Sequence, residues 1–204
     1  MKEKRKATEI RSLMGEGGSA KKICGYAAVF EKPSENMGFI ETIRKGAFSE
    51  ALKISDARAL FNHDTDTLPL GRQSSGTLVL KEDDTGLYFE ISPPDTQQAR
   101  DLMTSIDRGD IKEASYGFIV DVDEWDYSNK DVIRREIIKI REVFDVSPVV
   151  FAAFNDTSVA LRRMEESKKS VDSPGGESGT NDPVIMTGLL RKRLELKSKT
   201  FGGN

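Results

Sequence analysis

Along Ser115–Val122 every second residue is large and apolar: Tyr116, Phe118, Val120 and Val122 alternate with Ser115, Gly117, Ile119 and Asp121. A period of two belongs to a strand with one buried face, because a helix would scatter those side chains around its axis. Short β-branched or aromatic runs recur at Tyr26–Phe30, Ala57–Phe61, Thr77–Leu80, Leu87–Ile91, Ile133–Ile140 and Val143–Phe151. Asp83-Asp84-Thr85-Gly86 supplies a hairpin turn between two of these runs. Two helices interrupt the pattern, a short one near Ala47–Ile54 and a firmer one from Thr96 to Arg108, preceded by Pro93-Pro94-Asp95 and closed by Gly109. About seven strands with two or three helices predict a mainly β, α+β fold: an antiparallel barrel or sandwich with helices packed outside.

The 204 residues suffice for one domain of roughly 150 residues with appended segments. We expect a basic N-terminal arm over 1–20, the folded domain over 21–163, a flexible linker over 164–184 and a basic tail over 185–204. The linker contains Ser173-Pro174-Gly175-Gly176-Glu177-Ser178-Gly179, which buries too little apolar surface to offset chain entropy. In the tail, Leu189, Leu190 and Leu194 stand among Arg191, Lys192, Arg193, Lys197 and Lys199, the pattern of a short amphipathic docking helix or of a solvated end.

Charge and cysteine content narrow the function classes. The 31 Lys and Arg against 34 Asp and Glu give a net charge of -3, so nucleic acid is not an expected partner. No apolar run approaches the roughly 20 residues of a membrane span, and Met1-Lys2-Glu3-Lys4-Arg5-Lys6 has no signal-peptide apolar region behind it, which predicts a cytoplasmic protein without a membrane partner. The single cysteine, Cys24, lies in Ile23-Cys24-Gly25-Tyr26 and reads as a small buried hydrophobe. No thiolate-activating neighbour accompanies it, which disfavours a cysteine peptidase pairing Cys24 with His63.

His63 is the chain's one histidine. His63-Asp64 is a pair also found in metal-dependent phosphohydrolases, but those sites need further imidazoles, so no metal and no cofactor are expected. Asp121, Asp123 and Glu124 read as a solvated strand end. His63 follows Ala57–Asn62 and stands where a buried strand emerges into the polar loop Asp64-Thr65-Asp66-Thr67. Ser115 faces away from Tyr116, Phe118 and Val120, with Gly117 leaving its own face uncrowded, a setting for an exposed nucleophile or for an ordinary surface strand. Asp145 lies within Val143-Phe144-Asp145-Val146-Ser147-Pro148-Val149-Val150-Phe151, and a carboxylate in so apolar a run needs a partner: a histidine ring, an arginine or backbone amides. Glu142, on the opposite strand face, is the competing acid.

Taken together, ordered blocks from Ile23 to Arg163 resemble the prohead maturation protease family of tailed phages. These are Gly25-Tyr26-Ala27-Ala28-Val29-Phe30, Lys45-Gly46-Ala47-Phe48, Asn62-His63-Asp64 with Leu68-Pro69-Leu70-Gly71-Arg72, Asp84-Thr85-Gly86-Leu87, Arg108-Gly109-Asp110-Ile111, Ser115-Tyr116-Gly117-Phe118 and Val143–Val149. The resemblance implies a serine endopeptidase on a herpesvirus-protease-like barrel, with Ser115 as nucleophile, His63 as base and Asp145 at the position of the acidic member, Glu142 staying the alternative from the residues themselves. The family usually carries Glu at the position of Asp145, and herpesvirus enzymes use a second histidine, which this chain lacks.

In such an enzyme the base takes the proton of the attacking hydroxyl and an acyl-enzyme forms. Gly71, Arg72 and Gly117 are candidates for oxyanion binding or for loop support. The resemblance further implies a location inside the assembling prohead in the host bacterial cytoplasm. The partners would be the major capsid protein or its scaffolding region, the prohead shell and other copies of the chain, which cleaves itself. The competing reading is a catalytically inactive assembly or scaffolding protein on the same fold.

Overall fold

The computed structural model describes residues 2–7, 10–13, 21–129, 131–151 and 158–172. The strands are β1 (Lys2–Lys6), β2 (Arg11–Leu13), β3 (Lys22–Val29), β4 (Ile40–Ile43), β5 (Arg58–Ala59), β6 (Gly71–Arg72), β7 (Leu78–Glu82), β8 (Gly86–Ile91), β9 (Glu113–Asp126) and β10 (Arg134–Val149). The helices are α1 (Ala51–Ile54), α2 (Gln97–Arg108) and α3 (Ser158–Asp172). Among the described residues no helix is long and apolar enough to cross a membrane.

The chain is mainly β with three helices, as expected for its class, but it has ten described strands rather than about seven. They form a six-stranded sheet, ordered β1-β9-β10-β5-β6 with β4 also on β10, and a four-stranded sheet, ordered β2-β3-β8-β7. These ladders do not join into one closed barrel among the described residues.

Local chemistry explains most elements. Asp83 makes the β7–β8 turn: its carboxylate accepts the Thr85 and Gly86 amides at 2.8 and 3.1 Å, an Asx-type turn. Thr96 caps α2 by accepting the Ala99 amide at 3.3 Å, and Gly109 closes the helix at φ 80°. Phe89, Ile91, Phe118, Ile140, Val143 and Val146 from both sheets are fully buried in one shared core. The two runs expected at Ile133–Ile140 and Val143–Phe151 are one 16-residue strand, β10, bulged rather than broken between them.

β10 organises the larger sheet. Along one edge it pairs antiparallel with β9, and along the other it pairs in parallel with β4 at Arg134–Ile137 and with β5 at Asp145. Segment 40–59 therefore runs beside β10, held between the two ladders by the Ile140 amide on Ala47 O (2.8 Å) and the Val143 amide on Ser55 Oγ (3.0 Å).

Two expected boundaries move. The first residues of the basic arm form β1, in register with β9 from Lys2 opposite Ile119 to Lys6 opposite Ser115. Buried charge anchors it: Glu3 and Arg5 join Glu41 of β4 and Arg135 of β10 at 2.8–2.9 Å. Burial pushes the Glu3 carboxyl upward, but the Arg135 guanidinium more than offsets this, with Arg5 adding to it, and holds it below its ordinary value. Burial opposes the charge on Arg135, yet Glu3, Glu41 and Asp123 raise its affinity for the proton. At the other end, α3 extends through 164–172, where a linker was expected. Ala160 packs on Phe39 and Trp125, with Leu161 and Met164 beside them. The rest of the expected linker and the whole tail over 185–204 lie outside the described residues.

Candidate active site

His63 sits just past β5 on a turn with an unusual backbone. Asn62 and His63 have φ of 53° and 58°, consecutive left-handed residues that cost L-amino acids roughly 1–2 kcal/mol each. The end of β10 holds this turn. The Asn62 amide donates to Pro148 O at 3.0 Å, its side-chain Oδ1 accepts the Val150 amide at 2.9 Å, and the Asp64 amide donates to Phe61 O at 3.0 Å. Asn tolerates the left-handed region better than most residues, so Asn62 suits the position on two counts.

The acid reaches His63 through a register irregularity. In the β9–β10 ladder Val143 pairs with Phe118, but the next pair is Asp145 with Gly117, leaving Phe144 as the extra residue of a bulge. Directly paired residues share a sheet face. Val143 therefore points with Phe118 into the core, while Asp145 and Ser147 join Gly117 and Ser115 on the other face. Without the extra residue, Val143 and Asp145 would lie on one face.

On that face His63 Nδ1 contacts Asp145 Oδ2 directly. Ser147 donates its hydroxyl to the same Oδ2 at 3.1 Å and accepts the Leu60 amide at 3.3 Å. Asp145 and Ser147 are buried, so the expected partner of a carboxylate in an apolar run is here the imidazole with a serine hydroxyl. Glu142 does not take this place. The bulge puts it on the same face as Asp145 rather than the opposite one, but two pairs further along, half-buried opposite Ile119.

Ser115 lies directly opposite Ser147 on β10 and Lys6 on β1, and is fully buried rather than exposed. Its Oγ has no hydrogen-bond partner among the described residues, nor do His63 Nε2 and Asp145 Oδ1. Three orphaned buried polar atoms within one short stretch of two paired strands and a turn are costly for stability alone.

The supporting glycines divide by role. A Cβ on Gly117 would lie 2.3 Å from the Phe144 ring and 2.4 Å from Asp145 Oδ1, so the glycine leaves space for the acid. A Cβ on Gly71 would meet Thr77 O at 2.7 Å, and Gly71 pairs with Ala59 in the hairpin leading to His63. The Arg72 guanidinium is taken by Asp56 at 2.9 and 3.1 Å, and its backbone amide by Thr77 Oγ1 at 2.9 Å. The Arg72 hydrogen bond holds the Asp56 carboxyl well below the usual range, with Ser74 assisting. These contacts suit loop support for Gly71 and Arg72.

Other sequence candidates lie apart. Cys24 is buried in the smaller sheet opposite Glu90. Asp123 is bonded by Arg135, Arg163 and the Trp125 indole rather than standing at a solvated strand end. Two contributors escaped sequence reasoning: Ser147, whose one signal was its i+2 spacing from Asp145, and Asn62, visible as a turn-former before His63.

The family model of the caudovirus prohead serine protease matches residues 6–170. The prohead protease of Enterobacteria phage HK97 is 31% identical over 187 residues, which cover 87% of this chain and 78% of the phage protein. No solved structure matches the chain.

Proposed function

Since this chain belongs to the caudovirus prohead serine protease family, we propose that it is the serine peptidase of phage capsid maturation and that Ser115, His63 and Asp145 do its chemistry. The observation that carries the assignment is that the orphaned buried atoms fall on these three residues. The two atoms that must exchange a proton, Ser115 Oγ and His63 Nε2, are both buried without a hydrogen-bond partner, while Nδ1 of the same ring is engaged by Asp145. With its Nδ1 proton directed at the carboxylate, the ring presents Nε2 as the base. Ser115 Oγ attacks the scissile carbonyl, Nε2 takes its proton, and the acyl-enzyme is released by water with the proton returning along the same path. Asp145 orients the ring and stabilises its charged form, and Ser147 steadies Asp145.

The substrates on this reading are the scaffolding region of the major capsid protein and the protease itself, inside the assembling prohead of the host cytoplasm. Self-association and contact with the shell would bring enzyme and tethered substrate together at high local concentration. The segment after α3 is the proposed self-cleavage region and the tail over 185–204 the proposed docking element. Family resemblance also supports reading the two sheets as a herpesvirus-protease-like barrel.

Intact mass spectrometry tests the assignment, on the chain co-expressed with its own capsid precursor beside the Ser115→Ala variant. Trimmed capsid protein and shortened protease are expected with the native chain and neither with the variant. Full-length proteins in both samples, with shells assembled, would instead favour an inactive assembly protein.

A further inference from the structure

A cleft of about 410 Å³ opens beside the His63 turn, lined by Phe61, Gln98, Asp101, Leu102, Ser105 and Ile111. Leu102 and Ile111 are buried and Phe61 half-buried, which makes an apolar floor, while Gln98 and Asp101 are exposed at the mouth. Part of the polar rim is engaged within α2: Asp101 accepts the Gln97 side-chain amide at 2.6 Å, and the Ser105 hydroxyl donates to Asp101 O at 3.0 Å. What remains for a guest is mainly hydrocarbon, and desolvating it favours an apolar group.

The position of the cleft identifies the guest. Phe61 is two residues before His63 and Ile111 four before Ser115, so both proposed reacting segments contribute to its wall. At about 3.3 Å per extended residue, Ile111 is no more than about 13 Å from Ser115. Ser115 and His63 Nε2 are buried, so a polypeptide must first displace what covers them; lying extended against them, it would reach the cleft with a side chain within about four residues of its scissile bond.

We propose that this cleft is a specificity subsite for one large apolar side chain of the polypeptide substrate, Leu, Met or Phe, and the proposal rests on Ser115 and His63 being the reacting pair. Asp101 at the mouth makes the same position unfavourable for Asp or Glu.

The test uses synthetic peptides spanning the capsid precursor's cleavage junction, with Leu, Phe, Ala or Glu placed at each of four positions either side. The full native chain is first treated with a fluorophosphonate probe, which reports the nucleophile without needing the cleft. Ser115 labelling, with a Leu-over-Ala preference in kcat/KM of roughly ten- to two-hundred-fold at one position, is the expected native behaviour. Ser105→Phe, which fills the cleft, should reduce that ratio to about one. If Ser105→Phe proves inactive on every peptide, Leu102→Ala decides: enlarging the floor should move the preference from Leu towards Phe. A preference unchanged in both variants, or none in the labelled native chain, overturns the subsite while leaving the peptidase assignment intact. Absence of labelling in the native chain removes the assignment and the subsite with it.

Discussion

Gly117→Ala tests whether the bulged register is what delivers the acid to the histidine. The added methyl would stand 2.3 Å from Phe144 Cε2 and Cζ and 2.4 Å from Asp145 Oδ1, roughly an ångström inside normal contact. The Phe144 ring is half-buried beside Lys2 and has somewhere to move, whereas Asp145 is held between His63 and Ser147. Overpacking of this kind costs about 1–3 kcal/mol. With a urea slope near 2 kcal/mol/M, the unfolding midpoint should fall by about 0.5–1.5 M. Catalysis should suffer more, because displacing an orienting group by about 1 Å costs on the order of a hundredfold in rate. Densitometry of capsid-precursor trimming gives the rate, and urea titration at the same pH gives the stability. The double variant Gly117→Ala with Phe144→Ala relieves the ring contact but not the one with Asp145, so its rate should stay low. A native trimming rate in Gly117→Ala, with only stability lost, would refute the claim that the Asp145 position governs the site.

Ser147→Ala removes the donor to Asp145 and leaves the buried Leu60 amide unpaired. It should cost about 1–3 kcal/mol and lower kcat with little change in KM, as steady-state kinetics on a junction peptide would show. Glu3→Ala removes two of the hydrogen bonds of buried Arg135 and leaves it to Glu41 and Asp123, which should destabilise the fold by about 1–3 kcal/mol. In the native chain the folded Glu3 carboxyl ionises below its ordinary value of 4.5, so its contribution is fully present above that value and is lost as pH falls further. Thermal melts from pH 6 to 3 should therefore show a steeper acid loss for the native chain than for Glu3→Gln. Deleting residues 173–204, beyond α3, should preserve trimming of a junction peptide but reduce the amount of protease recovered in purified proheads; equal recovery would end the docking role.

Much of the β architecture was legible because its signals are local. The alternation over Ser115–Val122, the Asx turn at Asp83 and the Thr96 and Gly109 caps of α2 depend on residues next to one another in the chain, and the structure has each. The N-terminal segment was misread for the opposite reason. Lys2-Glu3-Lys4-Arg5-Lys6 looks like a solvated basic arm, and only Glu41 and Arg135, far away in sequence, make its alternate residues part of a buried ionic cluster. The helix over 158–172 was likewise hidden by its polar composition, since among its described side chains only Ala160 is buried, on Phe39 and Trp125, with Leu161 and Met164 partly buried beside it.

The sequence by itself determined the residue types available for chemistry: one histidine at a strand end, a serine on a strand beside a glycine, and a carboxylate that had to find a partner. The tertiary structure decided which groups meet. Asp145 rather than Glu142 contacts the imidazole because Phe144 is bulged out of the ladder with β9, and His63 is presented by a left-handed turn fastened to the end of β10. Neither event follows from local preference. A bulge is a one-residue slip fixed by the partner strand, and two successive positive φ values persist only where surrounding hydrogen bonds hold them.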